Sequence, residues 1–250
     1  MSVCAILSVR GRRPLSSSVS TQIIVPRLVI LPGTDGTGAL LGDFVALLGD
    51  LNPLVITYPT QEPLGYEQLA EVIRPQLPTT EPYYLLGESF GGPLAILLAA
   101  GESKSPAGLI LCASFARYPM FLPRALAPLA VATPIRLVPN STLSWFLFGH
   151  WSSPSLQAKL SLALASVSAE TLRARIRAAL HVDVTSHLSK LAVPVLYLQA
   201  THDRVVPAAA GKAVLAATAR ASLKQVCGPH FLLQAAPDAC AREIHAFLGC

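Results

Sequence analysis

One stretch limits the folds open to this chain more than any other: Tyr83-Tyr84-Leu85-Leu86-Gly87-Glu88-Ser89-Phe90-Gly91-Gly92-Pro93-Leu94-Ala95. It reads as an apolar strand, a tight turn and an Ala/Leu helix opened by Pro93, a residue tolerated in a first helical turn. Gly87, Ser89 and Gly91 have the spacing G-x-S-x-G. A strand that turns sharply into a helix brings the two elements close together. Glycine on either side of the serine removes the Cβ atoms that would collide. The serine is left at the apex, beside a helix N-terminus whose free N–H groups favour developing negative charge. A nucleophile is therefore expected at Ser89, with a plain glycine-rich turn as the alternative.

Around this stretch, apolar and β-branched runs alternate with helical patterns. Strands are expected over Gln22–Leu31, Leu54–Tyr58, Tyr83–Gly87, Gly108–Cys112, Val193–Gln199 and Ser222–Val226. Helices are expected over Ala39–Leu48 (with Thr37 as N-cap), Tyr66–Leu77, Phe90–Ala100, Pro207–Ala217 and Pro237–Leu248. This rhythm implies an α/β protein, a mostly parallel sheet of about six strands with helices on both faces. It lapses from Phe115 to about Leu180, where prolines at 119, 123, 128, 134 and 139 break the chain. Ser144–Phe148, Ser155–Ser166 and Ala169–Leu180 read there as helices. Residues 115–182 are read as an inserted helical cap, and 23–114 with 183–250 as the core. Trp145, Phe146, Phe148 and Trp151 are expected to roof a pocket; packing of that face on the core is the alternative. Residues 1–22, with arginine and serine but no acid, read as a disordered leader, with a mitochondrial-type transit peptide as the alternative.

Composition excludes several classes of function. Hydrophobic residues make up 52% and charged ones 13%, yet Pro, Gly and Ser break every apolar run short of a membrane span. The net charge of +5 owes much to Arg10, Arg12 and Arg13, and no run interleaves basic with aromatic residues, so no nucleic-acid partner is expected. Five cysteines without a C-x-x-C pair, Cys112 and Cys227 among them on strands expected to be buried, read as free thiols in a reducing, cytoplasmic compartment.

A serine hydroxyl needs a base within hydrogen-bond reach, and the base needs a third group to fix its tautomer. After the strand Val193–Gln199 comes Ala200-Thr201-His202-Asp203-Arg204-Val205-Val206-Pro207; after Ser222–Val226 comes Cys227-Gly228-Pro229-His230-Phe231. Ser89, Asp203 and His230 thus all follow strands, and a parallel sheet gathers its carboxyl ends on one edge. After the first expected strand, Leu31-Pro32-Gly33-Thr34-Asp35-Gly36-Thr37-Gly38 is too glycine-rich for an ordinary turn. Gly33, Asp35 and Gly36 are assigned to an oxyanion loop, and the backbone N–H groups of Thr34 and Phe90 to an oxyanion hole. A phosphate-cradling turn would need Gly-Lys-Ser/Thr or a full G-x-G-x-x-G, which is not there.

These motifs resemble those of an α/β-hydrolase of the esterase/lipase superfamily over about residues 27–248. Leu31–Gly38 is similar to the loop of a bacterial subgroup of uncharacterised hydrolases, with Pro32-Gly33 where many relatives have His-Gly. It is also similar to the hydrolase-like part of plant phytyl-ester synthases, which move acyl groups onto alcohols. The antiparallel hairpin that precedes this loop in many relatives is reduced here to Gln22–Pro26. The resemblance implies a serine esterase working through an acyl-enzyme on small-molecule esters, without cofactor or metal. Ser89 would be nucleophile, His230 base and Asp203 the orienting acid. An acyltransferase or thioesterase using the same acyl-enzyme is the alternative.

The remaining polar residues are read more plainly. Asp183 precedes a helix and reads as its N-cap rather than as a rival acid. His181, Asp183 and His187 lack a further strong ligand at a familiar metal-site spacing. His202 reads as surface, His150 and His245 have no evident partner, and Glu88 fills the variable elbow position. Arg173, Arg175 and Arg177 spread around one helix and read as solvated surface rather than as a clamp for an anionic substrate.

Overall fold

The computed structural model describes residues 26–101, 105–118 and 138–249. The leader expected over 1–22, the prolines at 119, 123, 128 and 134, and Cys250 lie outside them. The central strands are apolar at nearly every position. Leu28, Ile30, Leu86, Ile110, Leu196 and Leu198 face one side of the sheet. Val29, Leu31, Leu85, Leu109, Leu111 and Tyr197 face the other. Because side chains alternate along a strand, such strands are stable only with both faces covered.

The strands are β1 (Arg27–Leu31), β2 (Leu54–Val55), β3 (Tyr83–Glu88), β4 (Gly108–Cys112), β5 (Val195–Ala200) and β6 (Ala221–Val226). They form one sheet in the order β2-β1-β3-β4-β5-β6, and every pair is parallel. On one face lie α2 (Tyr66–Ile73), α3 (Gly91–Gly101), α7 (Thr185–Leu188) and α8 (Ala209–Ala217), which bury Leu69, Leu94, Leu188 and Val214. On the other lie α1 (Gly42–Ala46), α9 (Leu232–Ala235) and α10 (Pro237–Leu248), which bury Phe44, Leu232 and Ile244. Between β4 and β5 the chain forms α4 (Asn140–Leu147), α5 (Pro154–Ser166) and α6 (Ala169–His181). This is an α/β-hydrolase fold.

Several expected elements shift. The helix expected from Ala39 starts at Gly42, because Leu41 N–H donates to Gly38 O and closes a turn first. Thr37 Oγ1 therefore caps that turn, accepting from Ala39 N–H at 3.2 Å. The second strand ends at Val55; Tyr58 N–H leaves the sheet to bond Gly36 O at 2.8 Å. Helix α4 spans Asn140–Leu147, starting ahead of the expected Ser144. Cys227 lies just past β6 and is exposed, whereas Cys112 is buried.

The crossing of β3 and α3 sets the position of everything at the carboxyl edge. A Cβ on Gly87 would meet the backbone of Gly91 and Gly92, and one on Gly91 would meet the carbonyls of Leu31 and Pro32. Neither neighbour is a flexible side-chain end, so the helix itself would have to move. Gly87→Ala is expected to destabilise the fold by roughly 1–3 kcal/mol, as overpacking does, read as a lower midpoint of urea unfolding.

Candidate active site

Ser89 follows β3 directly and holds a left-handed φ of 49°. Such a backbone is uncommon outside glycine and costs on the order of 1–3 kcal/mol. Three hydrogen bonds hold it. Ser89 N–H donates to Cys112 O at 2.9 Å, while its carbonyl accepts from Gly92 N–H at 3.0 Å and from Ser114 Oγ at 2.6 Å.

The structure brings Ser89, His230 and Asp203 together. Ser89 Oγ lies 2.9 Å from His230 Nε2, and His230 Nδ1 lies 2.9 Å and 3.0 Å from the two Asp203 carboxylate oxygens. A carboxylate at Nδ1 favours the tautomer with its proton there, which leaves the Nε2 lone pair to the serine hydroxyl. The carboxylate is itself fixed: Oδ1 accepts from Val205 and Val206 N–H, each at 2.7 Å. The loops that carry acid and base are tied by His202 N–H donating to Gly228 O at 2.9 Å. All three side chains are buried.

The loop after β1 presents its N–H groups because its carbonyls are already bonded. Pro32 O accepts from the Tyr58 hydroxyl at 2.9 Å, Gly33 O from Gly36 N–H at 3.0 Å and Gly36 O from Tyr58 N–H at 2.8 Å. Thr34 O and Asp35 O both accept from Arg175 Nη1, at 2.9 Å and 2.7 Å. The Asp35 carboxylate is used locally, accepting from Thr37 N–H at 2.9 Å. Gly36 has a φ of 68°, and a Cβ there would strike the Tyr58 ring. Among the described residues, no protein acceptor takes the N–H of Thr34 or Phe90.

Arg175 is the correction of most consequence. Expected as solvated surface, it is fully buried, and burial lowers its pKa. Its Nη2 also donates to Pro59 O at 2.8 Å, and its guanidinium carbon lies 5.3 Å from the centre of the Tyr58 ring. A signal was present in the sequence: Leu172, Arg175, Ile176 and Ala179 fall on one helical stripe, so Arg175 sits among residues that turn inward.

A cavity of about 220 Å³ opens over Ser89, Thr34 and Phe90. Its walls are apolar: Phe115, Tyr118, Ile176, Leu180, Val205 and Val206. The expected aromatic roof is elsewhere, since none of Trp145, Phe146, Phe148 and Trp151 lines it. Phe148 packs against Phe231, Leu40 and Leu160, while Trp145 and Phe146 are exposed, the Trp145 ring lying under the Arg204 guanidinium at 4.3 Å. The Trp151 ring lies against that of His150, centroids 3.5 Å apart and planes tilted by 31°.

Among the other polar residues, Asp183 Oδ1 accepts from Thr185 N–H at 3.0 Å where α7 opens. His245, expected without a partner, has Nε2 2.9 Å from Asp50 Oδ2. His202 is exposed and lies near Trp151. Among the described residues no three His, Cys, Asp or Glu side chains are placed to hold a metal. Glu88 does more than fill the elbow. It is buried, its Oε1 has no hydrogen-bond partner, and burial pushes its pKa from 4.5 up to about 7 against the opposing hydrogen bond from Gln234.

A parallel sheet with a serine on a tight strand–helix turn, facing an imidazole and a carboxylate at its carboxyl edge, defines an α/β-hydrolase. The chain belongs to the family described as serine aminopeptidase, S33, which its residues 66–232 match. Its fold is similar to that of an esterase from Exiguobacterium antarcticum, at 17% identity and a TM-score of 0.79 over 90% of this chain and 92% of that one. It is similar to a bromoperoxidase from Bacillus anthracis, at 18% identity and a TM-score of 0.78 over 90% and 92%. It is also similar to an enol-lactonase from Burkholderia xenovorans, at 19% identity and a TM-score of 0.73 over 90% and 92%. No curated protein matches the sequence.

The Glu88 carboxyl gives the fold a pH dependence. Between pH 4.5 and about 7 the unfolded chain has released this proton and the folded chain still holds it. Raising the pH through that window therefore favours unfolding, and the loss levels off above it. Relative to Glu88→Gln, the wild type is expected to lose roughly 3 kcal/mol of stability over the window. Urea unfolding of both proteins at pH 5 and pH 8 checks this; parallel pH curves would refute it.

Proposed function

We propose that the protein is a serine esterase cleaving carboxylic esters with an apolar acyl or alcohol part. The linked contacts from Ser89 through His230 to Asp203 carry this reading. His230 Nε2 takes the hydroxyl proton as Ser89 Oγ bonds the ester carbonyl carbon. The carbonyl electron pair moves onto oxygen, where the N–H groups of Thr34 and Phe90 receive it. Collapse breaks the bond to the alcohol oxygen, which leaves with the proton from His230. Water then attacks the acyl group on Ser89 by the same steps, releasing the carboxylic acid and restoring the hydroxyl. The cycle moves protons and an acyl group only, so it calls for neither cofactor nor metal.

In this reading residues 115–182 cap a core of 23–114 and 183–250, and α6 supplies the apolar wall through Ile176 and Leu180. Among the described residues no helix is long and apolar enough to cross a membrane. The free thiols of Cys112, Cys227 and Cys240 fit a reducing, cytoplasmic setting.

Purified protein is expected to hydrolyse p-nitrophenyl butyrate and to take a fluorophosphonate label on Ser89. Ser89→Ala should lower turnover by about 10⁴–10⁶-fold and abolish labelling; equal turnover in the variant would end the proposal. Product analysis with a competing alcohol separates hydrolysis from acyl transfer, free acid alone meaning hydrolysis. Ala179 also lines the cavity, and Ala179→Trp should shorten the preferred acyl chain across a graded ester panel.

A further inference from the structure

We propose that Arg175 is a positioning residue: reaching from α6, it holds the loop after β1 in the shape that aims Thr34 N–H at the reacting carbonyl oxygen. The oxyanion hole then exists only while that helix is seated. The proposal rests on the esterase reading and deepens it.

Peptide groups are planar, so fixing one carbonyl fixes the N–H of the next residue on the opposite side. Gly33 O is held by Gly36 N–H, which turns Thr34 N–H away from that contact. The bond closes only if Gly36 stays in place, and Gly36 follows the two peptides whose carbonyls Arg175 Nη1 grips. Removing the guanidinium would free Thr34 O and Asp35 O to rotate, and the Thr34 N–H would lose its fixed direction.

A fold in need of filler at this place would have a simpler choice. Arg175 is fully buried with its Nε unbonded, and among the described residues no carboxylate forms an ion pair with it. A cation buried in this way is costly, and an apolar side chain of similar volume would fill the same space without that cost. What the guanidinium adds is a planar fork that reaches two elements: Nη1 takes the loop and Nη2 takes Pro59 O. Its chain neighbour Ile176 lines the cavity, as does Leu180 one turn on. One helix therefore forms the acyl wall and braces the hole, so occupancy of the cavity bears on the element that shapes the hole.

The test compares wild type, Arg175→Gln, Arg175→Lys and Tyr58→Phe on p-nitrophenyl esters, below each variant's unfolding midpoint. Inhibition by a trifluoromethyl ketone, which adopts the tetrahedral geometry on Ser89, is set against inhibition by the carboxylic acid product. Arg175→Gln is expected to lower kcat roughly 10²-fold, as losing an oxyanion donor does, with KM within about threefold. Affinity for the ketone should fall by a similar factor while that for the acid stays. Arg175→Lys should recover part of kcat, and Tyr58→Phe, which removes only the bond to Pro32 O, should lose less. A folded Arg175→Gln with kcat within about threefold of wild type, or with ketone and acid affinity falling together, overturns the proposal. Should Arg175→Gln fail to fold, Arg175→Lys and Tyr58→Phe carry the test, and wild-type kcat in both overturns it. An inactive, unlabelled wild type sinks the esterase reading and this proposal together, whereas an active wild type with an unaffected Arg175→Gln sinks this proposal alone.

Discussion

The closeness of β3 to α3 is the constraint on which the rest of the structure depends. The two elements meet where no Cβ fits, and the serine between them is pressed into a left-handed backbone. That strain persists because the surroundings over-determine it: a strand carbonyl, a side-chain hydroxyl and a helix N–H all bond the same residue. The sheet around the crossing is apolar on both faces, so helices hold it from both sides and it has little freedom to relax.

On this rigid base, the polar groups of the carboxyl edge are fixed by the backbone more than by one another. The Asp203 carboxylate is anchored by two N–H groups of its own loop before it meets His230. The loop after β1 has its carbonyls bonded from Pro32 to Gly36. Polar groups that are satisfied in this way rigidify a site instead of destabilising it. Glu88 and Arg175 are charged exceptions, a carboxyl and a guanidinium in nearly dry surroundings, each with an atom left unbonded. Both touch the elements that carry the proposed chemistry, Glu88 within the elbow and Arg175 against the loop.

Much of this was legible in the chain. The Gly87-x-Ser89-x-Gly91 spacing has a steric cause, so it could be read without a fold, and the strand–helix rhythm then placed Asp203 and His230 on the same edge. Arg175 was not legible in the same way. Its charge and its alternation with Arg173 and Arg177 point to solvent, while only the helical stripe of Leu172, Ile176 and Ala179 points inward. Trp145 and Phe146 misled in the opposite sense, because side-chain size and apolarity do not say which face of a short helix is covered. The late start of α1 and the early end of β2 share a cause: hydrogen bonds within and onto the Pro32–Gly38 loop override local preference.

The imidazole has a more exposed mounting than its partners. Ser89 stands at the end of a strand inside the sheet, whereas His230 follows β6, the outermost strand on its side among the described residues, with mostly exposed or half-buried side chains. Border strands detach more easily than interior ones. Any local opening of β6 would thus draw His230 away from Ser89 while the inner strands still stand, and its contacts with Asp203 would go with it.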